Sequence, residues 1–293
     1  MIFFLYGFLI ILTASNCAES KYAIEGDFKF ASYLQSNMVL QQAPHSALLW
    51  GYGKVGSSIR VTLDKVDHVT TVKNGANGQG VWRIVLNPHK AGGPFNITAM
   101  QLEPPSTIVL QNIMFGEVWF CSGQSNMQFA LEQAFNASYE LAQVKNYPNV
   151  RIFYAAMETS DVALLDLKAI RTPWSVPTSS TVSTFSAVCW LYGKYLYNQM
   201  KIPIGLVHSA WGGTPVETWM SNNALKKCGL DKEYNPLDVK KPFPPIPMFK
   251  SMAPNPNPQN NSLLWNAMVH PFLNMTIKGA IWYQGEQNAY YHM

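Results

Sequence analysis

The chain has 293 residues, a formal net charge of +4 and a hydrophobic content of 48%. This length allows one large domain or two smaller ones, and the hydrophobic content is ample for a packed core. The positive charges form no basic block, so nucleic-acid binding has little support, although the charge would favour an anionic ligand.

The first element in chain order is an apolar leader, Ile2 to Leu12. Its 11 residues have the length of a signal peptide and are too few to span a bilayer. We therefore expect a signal peptide over residues 1–18, and no other segment is long and apolar enough to be transmembrane. Four N-x-[ST] sequons support an extracellular or lysosomal location. Their asparagines are Asn96, Asn136, Asn260 and Asn274.

Residues 27–110 contain short β-rich runs separated by Gly, Asn and Pro turns. This pattern predicts a small all-β, sandwich-like domain. From residue 111 to residue 293, strands alternate with longer helical stretches, including Leu131–Val144 and Val188–Met200. Such alternation predicts a parallel sheet flanked by helices, and hence an α/β fold.

The stretch from Val118 to Met127 runs an apolar strand into a small polar turn and then into helix-compatible sequence. In α/β enzymes such a turn delivers a nucleophile to the carboxyl edge of a parallel sheet, where backbone N–H groups stabilise developing negative charge. We predict Ser125 as the nucleophile of an acyl transfer. Met127 departs from the G-x-S-x-G pattern of α/β-hydrolases, and an ordinary polar turn is the alternative interpretation.

A second apolar strand candidate, Ile204 to Ser209, leads into a diglycine loop at positions 212 and 213. Thr214 is expected to cap a helix with Glu217 as its capping-box acid. The N–H groups of the loop can point at a substrate oxygen, because glycine has no Cβ to block the approach.

A third strand candidate, Gly279 to Tyr283, ends in a turn that carries two amide side chains. Gln284 and Asn288 could each donate a side-chain N–H to an oxyanion. Aromatic side chains also flank these turns and could stack on sugar faces, although core packing is their commoner fate. They are Trp211, Trp219, Trp282 and Tyr283.

In their order and in their residue identities, these segments resemble blocks one to three of the SGNH-type hydrolases, and in particular the animal sialate O-acetylesterases. The resemblance covers nearly all of the chain after the leader. It is carried by Gly116–Trp119, Gly123–Met127, Trp211–Pro215, Trp265–Met268 and Trp282–Glu286, with Phe30–Tyr33 and Met38–Gln41 upstream.

The resemblance implies an esterase that removes O-acetyl groups from sialic acids through an acyl-enzyme, without a metal or organic cofactor. It implies Ser125 as nucleophile and an oxyanion hole formed by Gly213 with Gln284 or Asn288. Substrate contacts are expected from Gln124, Trp211, Gly212 and Glu286. No membrane span and no nucleic-acid partner are expected.

One part of that family pattern, the late Asp-x-x-His, is absent. None of the six histidines has Asp or Glu three positions earlier, so we expect that a C-terminal part of the hydrolase domain, with the general base, is missing. His208 and His270 lie on or beside apolar segments and are expected to be structural, with satisfied hydrogen bonds.

Cysteines are scarce after the leader, where only Cys121, Cys189 and Cys228 remain. An odd number leaves at least one thiol unpaired within this chain. Cys121 is expected to pack as a small hydrophobe, and no His/Cys spacing resembles a metal site.

Two alternative functions remain open. The first is an esterase of the same fold that acts on another acetylated carbohydrate, because sugar contacts come from variable loops. The second is an inactive sugar-binding glycoprotein, which the absent base would explain.

Overall fold

The computed structural model describes residues 27–75, 78–230 and 258–289, where the chain is mixed α/β as predicted. The predicted signal peptide lies outside the described residues. The strands are β1 (Lys29–Phe30), β2 (Val39–Gln41), β3 (Leu48–Tyr52), β4 (Ser58–Leu63), β5 (Val66–Thr71), β6 (Lys73–Asn74), β7 (Gly80–Val85), β8 (Gly92–Gln101), β9 (Ser106–Gly123), β10 (Val150–Ala155), β11 (Ile170–Ser175), β12 (Ile204–Ala210) and β13 (Gly279–Tyr283). The α-helices are α1 (Ser125–Gln128), α2 (Ala137–Gln143), α3 (Ser179–Ser183), α4 (Ala187–Met200), α5 (Asn222–Lys227) and α6 (Glu286–Ala289).

Two sheets organise these strands. The smaller sheet is antiparallel and has the order β1-β3-β7-β6. The larger sheet has the order β11-β10-β12-β9-β8-β4-β5, and β2 and β13 also pair with β9. β10, β12, β9 and β13 are mutually parallel, as expected for the second half of the chain, whereas the edge strand β11 is antiparallel to β10.

The 18-residue strand β9 joins the two regions expected from the sequence. Its first part pairs with β8 in antiparallel fashion, and its last part lies between β12 and β13 in parallel fashion. Exposed and less exposed residues alternate at first, whereas nearly every residue from Ile113 onward is buried, because helices and loops cover both faces of a parallel sheet. The boundary expected near residue 110 falls inside this strand. A separate all-β domain is therefore not confirmed.

One hydrophobic core also crosses position 110. It includes Leu49 and Trp50 of the small sheet together with Phe153 and Phe272 from the later part of the chain. The Phe272 ring lies 5.5 Å from the Tyr33 ring and 5.4 Å from the Phe120 ring, measured between centroids. These contacts bury apolar surface of both regions in one cluster.

The longest helix, α4, agrees with the stretch predicted from residue 188 to residue 200. The other predicted helix, residues 131–144, is interrupted. It consists of a 3-10 turn at Leu131–Gln133, helix α2 and a second 3-10 turn at Val144–Asn146. Asn136 lies between the first two pieces at a φ of 61°, a left-handed conformation that a continuous helix cannot contain.

The expectation for Cys121 was wrong. Its sulfur forms a disulfide with Cys189 of α4, and both residues are fully buried. The sequence did not indicate this pairing, because the two cysteines are 68 residues apart and come together only when α4 packs against the sheet. Cys228 is exposed and free. No helix in the described part of the chain is long and apolar enough to cross a membrane.

Candidate active site

The three predicted turns meet at the carboxyl edge of the parallel strands. β9 ends at Gly123, which is in register with Ala210 at the end of β12 and with Tyr283 at the end of β13. The segments that follow the three strands therefore leave the sheet side by side. This edge is where open α/β sheets bind their ligands.

The turn before Ser125 depends on glycine. Gly123 has a φ of +134°, and a Cβ at this position would lie 2.1 Å from the carbonyl oxygen of Tyr283. The next residue, Gln124, donates its backbone N–H to the same carbonyl at 2.9 Å. Ser125 then begins α1 with its side chain in an exposed position. The turn thus presents Ser125 at the surface, and the Tyr283 carbonyl of β13 fixes the start of the turn.

The glycine loop lies directly against this serine. The Trp211 N–H donates to the Gly123 carbonyl at 3.1 Å, and the Gly212 N–H donates to Oε1 of Gln128 at 2.7 Å. A Cβ on Gly212 would lie 3.2 Å from the Cβ of Ser125. Gly213 has a φ of +68°, in the region that favours glycine.

The prediction of a capping box after this loop was wrong. The following element, Val216–Trp219, is a 3-10 helix whose N-cap is Pro215. The Thr214 hydroxyl instead donates to the Trp211 carbonyl and accepts from the indole N–H of Trp219. Glu217 accepts a hydrogen bond from Asn288, so tertiary contacts satisfy the groups that local capping would have used.

The two amide candidates of the third turn form one network. Nε2 of Gln284 lies 2.8 Å from Oδ1 of Asn288 and 3.3 Å from both Oε1 of Gln124 and the carbonyl oxygen of Thr214. Nδ2 of Asn288 donates to Glu217 at 2.8 Å, and its Oδ1 accepts the Val216 N–H at 2.9 Å. Both amides therefore link the third turn to the glycine loop.

The carboxylate of Glu286 reaches back to the residue after the predicted nucleophile. Nδ2 of Asn126 donates to Oε1 of Glu286. The other carboxylate oxygen, Oε2, is buried and has no hydrogen-bond partner among the described residues. The expected contact between Glu286 and substrate stays a prediction.

The aromatic and glutamine candidates divide by exposure. Trp211 and Trp219 are 3% exposed and belong to a small hydrophobic cluster, and Gln124 is 2% exposed. Trp282 and Tyr283 are 45% and 47% exposed. Only the latter pair presents broad ring surface to solvent, while substrate contact by Gln124 or Trp211 stays a prediction.

His208 is structural, but the expectation that its hydrogen bonds are satisfied was wrong. The imidazole is fully buried in β12, its centroid is 4.0 Å from that of the Tyr154 ring, and neither ring nitrogen has a partner among the described residues. Burial, followed by the nearby Arg171 cation, lowers the pKa of His208 to about 3. The ring is therefore neutral at physiological pH. The Nδ1 atom of His270, by contrast, pairs with the Leu164 carbonyl at 2.7 Å, as expected.

No histidine within the described ranges hydrogen-bonds to Ser125. In these same ranges, no group of three or more His, Cys, Asp or Glu residues could hold a metal ion. The most informative residue that the sequence did not single out is Gln128, which contacts the glycine loop. Its place one turn after Ser125 on α1 was the available signal.

Comparison with known proteins gives the family context. No protein-family model matches the chain. The sialate O-acetylesterase of Rattus norvegicus is 43% identical, over 90% of this chain and 53% of the relative. That of Homo sapiens is also 43% identical, over 90% of this chain and 50% of the relative. A crystal structure of a carbohydrate acetylesterase from Xanthomonas citri has a TM-score of 0.72 at 27% identity, covering 89% of this chain and 52% of that chain. The chain thus spans about half the length of the proteins it matches. By sequence, the chain is related to the sialate O-acetylesterases, and its fold is similar to that of a carbohydrate acetylesterase.

Proposed function

We propose that the protein is a serine-dependent carboxylic-ester hydrolase with an SGNH-type catalytic region, and that it removes O-acetyl groups from sialic acids. The observation that carries the proposal is the position of Ser125. It is exposed at the end of β9, a glycine loop lies against it, and an amide-bearing turn is in register beside it. A nucleophile beside a backbone N–H that no described hydrogen bond uses, here that of Gly213, is what acyl transfer requires.

In the proposed reaction, Ser125 Oγ attacks the acetyl carbonyl, the sugar hydroxyl leaves, and water then hydrolyses the acetyl-enzyme. The N–H of Gly213, together with an amide of Gln284 or Asn288, donates to the oxyanion that forms during both steps. These roles require a base that takes the Ser125 proton, and no described histidine contacts that hydroxyl. The base is therefore left unassigned.

The substrate class is proposed from the names of the relatives and from the exposed rings. The curated relatives are named for sialic acid esters, and the crystal structure neighbour is described as a carbohydrate acetylesterase. Trp282 and Tyr283 offer flat apolar surface at the end of β13, which suits stacking on a sugar ring. Another acetylated carbohydrate is the second candidate, supported by the broader description of the Xanthomonas enzyme.

We also propose that the protein passes through the secretory pathway. A buried disulfide is typical of proteins that mature in an oxidising compartment. Three of the sequon asparagines are exposed, as glycosylation requires: Asn96, Asn136 and Asn260. Asn274 is partly buried.

The first testable prediction concerns the nucleophile. In the full-length protein, Ser125→Ala should abolish acetate release from O-acetylated sialic acid and leave the fold intact, because it removes one exposed hydroxyl and no core volume. Acetate release and circular dichroism are measured for both proteins. Ser180→Ala, at an exposed serine of α3, is the matched control and should retain full activity.

Retained turnover in the Ser125→Ala variant would refute the proposed mechanism. The same assay with acetylated glucose and acetylated xylose separates the two substrate classes. A higher kcat/KM for either neutral sugar than for the sialic acid ester would favour the second candidate.

A further inference from the structure

We propose that Gln128 is a positioning residue, whose side-chain oxygen holds the glycine loop against Ser125 so that the Gly213 N–H faces the reacting ester. This inference rests on the proposed esterase function. It concerns a residue that does not itself touch the reacting atoms.

The geometry places Gln128 and Ser125 together under the loop. The two residues are three positions apart on α1, so their side chains lie on the same side of that helix. Oε1 of Gln128 accepts the Gly212 N–H at 2.7 Å. A Cβ on Gly212 would lie 3.0 Å from this oxygen and 3.2 Å from the Ser125 Cβ, so the loop backbone contacts both residues at once.

This hydrogen bond decides which loop donor remains available. Because Gln128 uses the Gly212 N–H, that group cannot also donate to a substrate oxygen. No hydrogen bond in the described parts of the chain uses the Gly213 N–H. The peptide group between Trp211 and Gly212 is planar, so the hydrogen bond fixes the orientation of that peptide, from which the backbone continues to Gly213.

The Gln128 side chain is itself held in place by residues of β10 and of the segment that follows it. Its Nε2 lies 3.2 Å from the sulfur of Met157, and the side chain lies beside the Tyr154 hydroxyl. The Tyr154 hydroxyl accepts a hydrogen bond from Arg171 at 3.1 Å, and the same cation lies over the Tyr154 ring. The loop is thus connected through Gln128 to β10 and β11.

The experiment compares two substitutions that differ in one property. Gln128→Met keeps the length of the side chain but removes the acceptor, whereas Gln128→Glu keeps an acceptor oxygen. In the full-length protein, the Met variant should lower kcat by about tenfold to a hundredfold with less than about a threefold change in KM, as expected when a transition-state donor is displaced. The Glu variant should retain most of the activity. Gln133→Met, at an exposed glutamine in the next turn, should match the unchanged protein.

A second readout does not depend on turnover. Hydrogen exchange at the Gly212 amide should be at least about tenfold faster in the Met variant, because the exchange rate follows local opening, and near the original rate in the Glu variant. Unchanged exchange in the Met variant would overturn the inference whatever the activity is. Equal loss of kcat in the Met and Glu variants would also overturn it. Failure of the esterase proposal would appear separately, as turnover that survives Ser125→Ala.

Discussion

His208 shows how one side chain can make the fold sensitive to acid. Its ring stacks on Tyr154 and meets the Phe185 ring edge-on, with centroids 4.0 Å and 5.2 Å away. A charged imidazole there would lose its hydration without gaining a described hydrogen-bond partner. The folded protein therefore binds this proton far less readily than the unfolded chain does.

The sign of the resulting pH dependence follows from the lowered pKa of His208, which is about 3 in the folded chain and about 6.5 in an unfolded one. Between these values the unfolded state binds the proton and the folded state does not, so stability falls as the pH drops below about 6.5. At pH 5 the loss relative to pH 7 should be about 2 kcal/mol.

His208→Phe, which has no titratable group, should remove that part of the pH dependence. The measurement is the free energy of unfolding in urea at pH 5 and pH 7 for both proteins. His45→Gln changes an exposed histidine and serves as the control, which should keep the original difference. An unaltered difference in the His208→Phe variant would contradict the assignment.

At the scale of elements, three neighbours hold the end of β9 that leads into the candidate site. Its final residues pair with β12 and β13, and the disulfide joins Cys121 to α4. Cys121 is only four residues before Ser125, so the covalent link lies at the base of the turn that carries Ser125. α4 carries further contacts to this region, since the Ser186 hydroxyl at its N-cap lies 3.4 Å from the sulfur of Met127.

Removing this disulfide should strongly destabilise the protein. A loop of 68 residues corresponds to roughly 4 kcal/mol of stabilisation in the chain-entropy account. The double variant Cys121→Ala/Cys189→Ala should therefore unfold at a clearly lower urea concentration. Cys228→Ser, at the exposed free cysteine, should leave the midpoint nearly unchanged. A double variant as stable as the original protein would show that noncovalent packing alone holds α4 in place.

For the whole molecule, the relevant feature is the core that residues from both halves of the chain share. Asp166 adds polar links across the same junction, because it accepts hydrogen bonds from the Ser32 backbone N–H and from the Tyr52 hydroxyl. The β-rich first region thus packs on later segments through both apolar and polar contacts.

A fragment of residues 27–110 should consequently fold poorly when expressed alone. It would lose the later core residues, and it would end five residues into β9, leaving β8 with an incomplete partner. Amide dispersion in NMR spectra and resistance to trypsin are suitable measurements, with the longer protein as the control. A protease-resistant, well-dispersed fragment would establish an independent domain boundary near residue 110.

The sequence by itself determined the local features of this protein. Alternating and continuous apolar runs indicated the principal strands and α4, and the strand-turn sequences around Ser125, Gly213 and Gln284 indicated where the candidate site lies. These signals are readable because they depend on neighbours in the chain, such as the positive φ that glycine allows at positions 123 and 213.

Only the tertiary structure decided the features that join distant residues. Examples are the pairing of Cys121 with Cys189, the continuation of β9 from antiparallel pairing with β8 to parallel pairing with β12 and β13, and the hydrogen bond from Gly212 to Gln128. Tertiary contacts also overrode the local capping pattern at Thr214, because its hydroxyl bonds Trp211 and Trp219 instead. Each of these depends on which surfaces pack together, and that choice is made by burial over the whole chain rather than by any short segment.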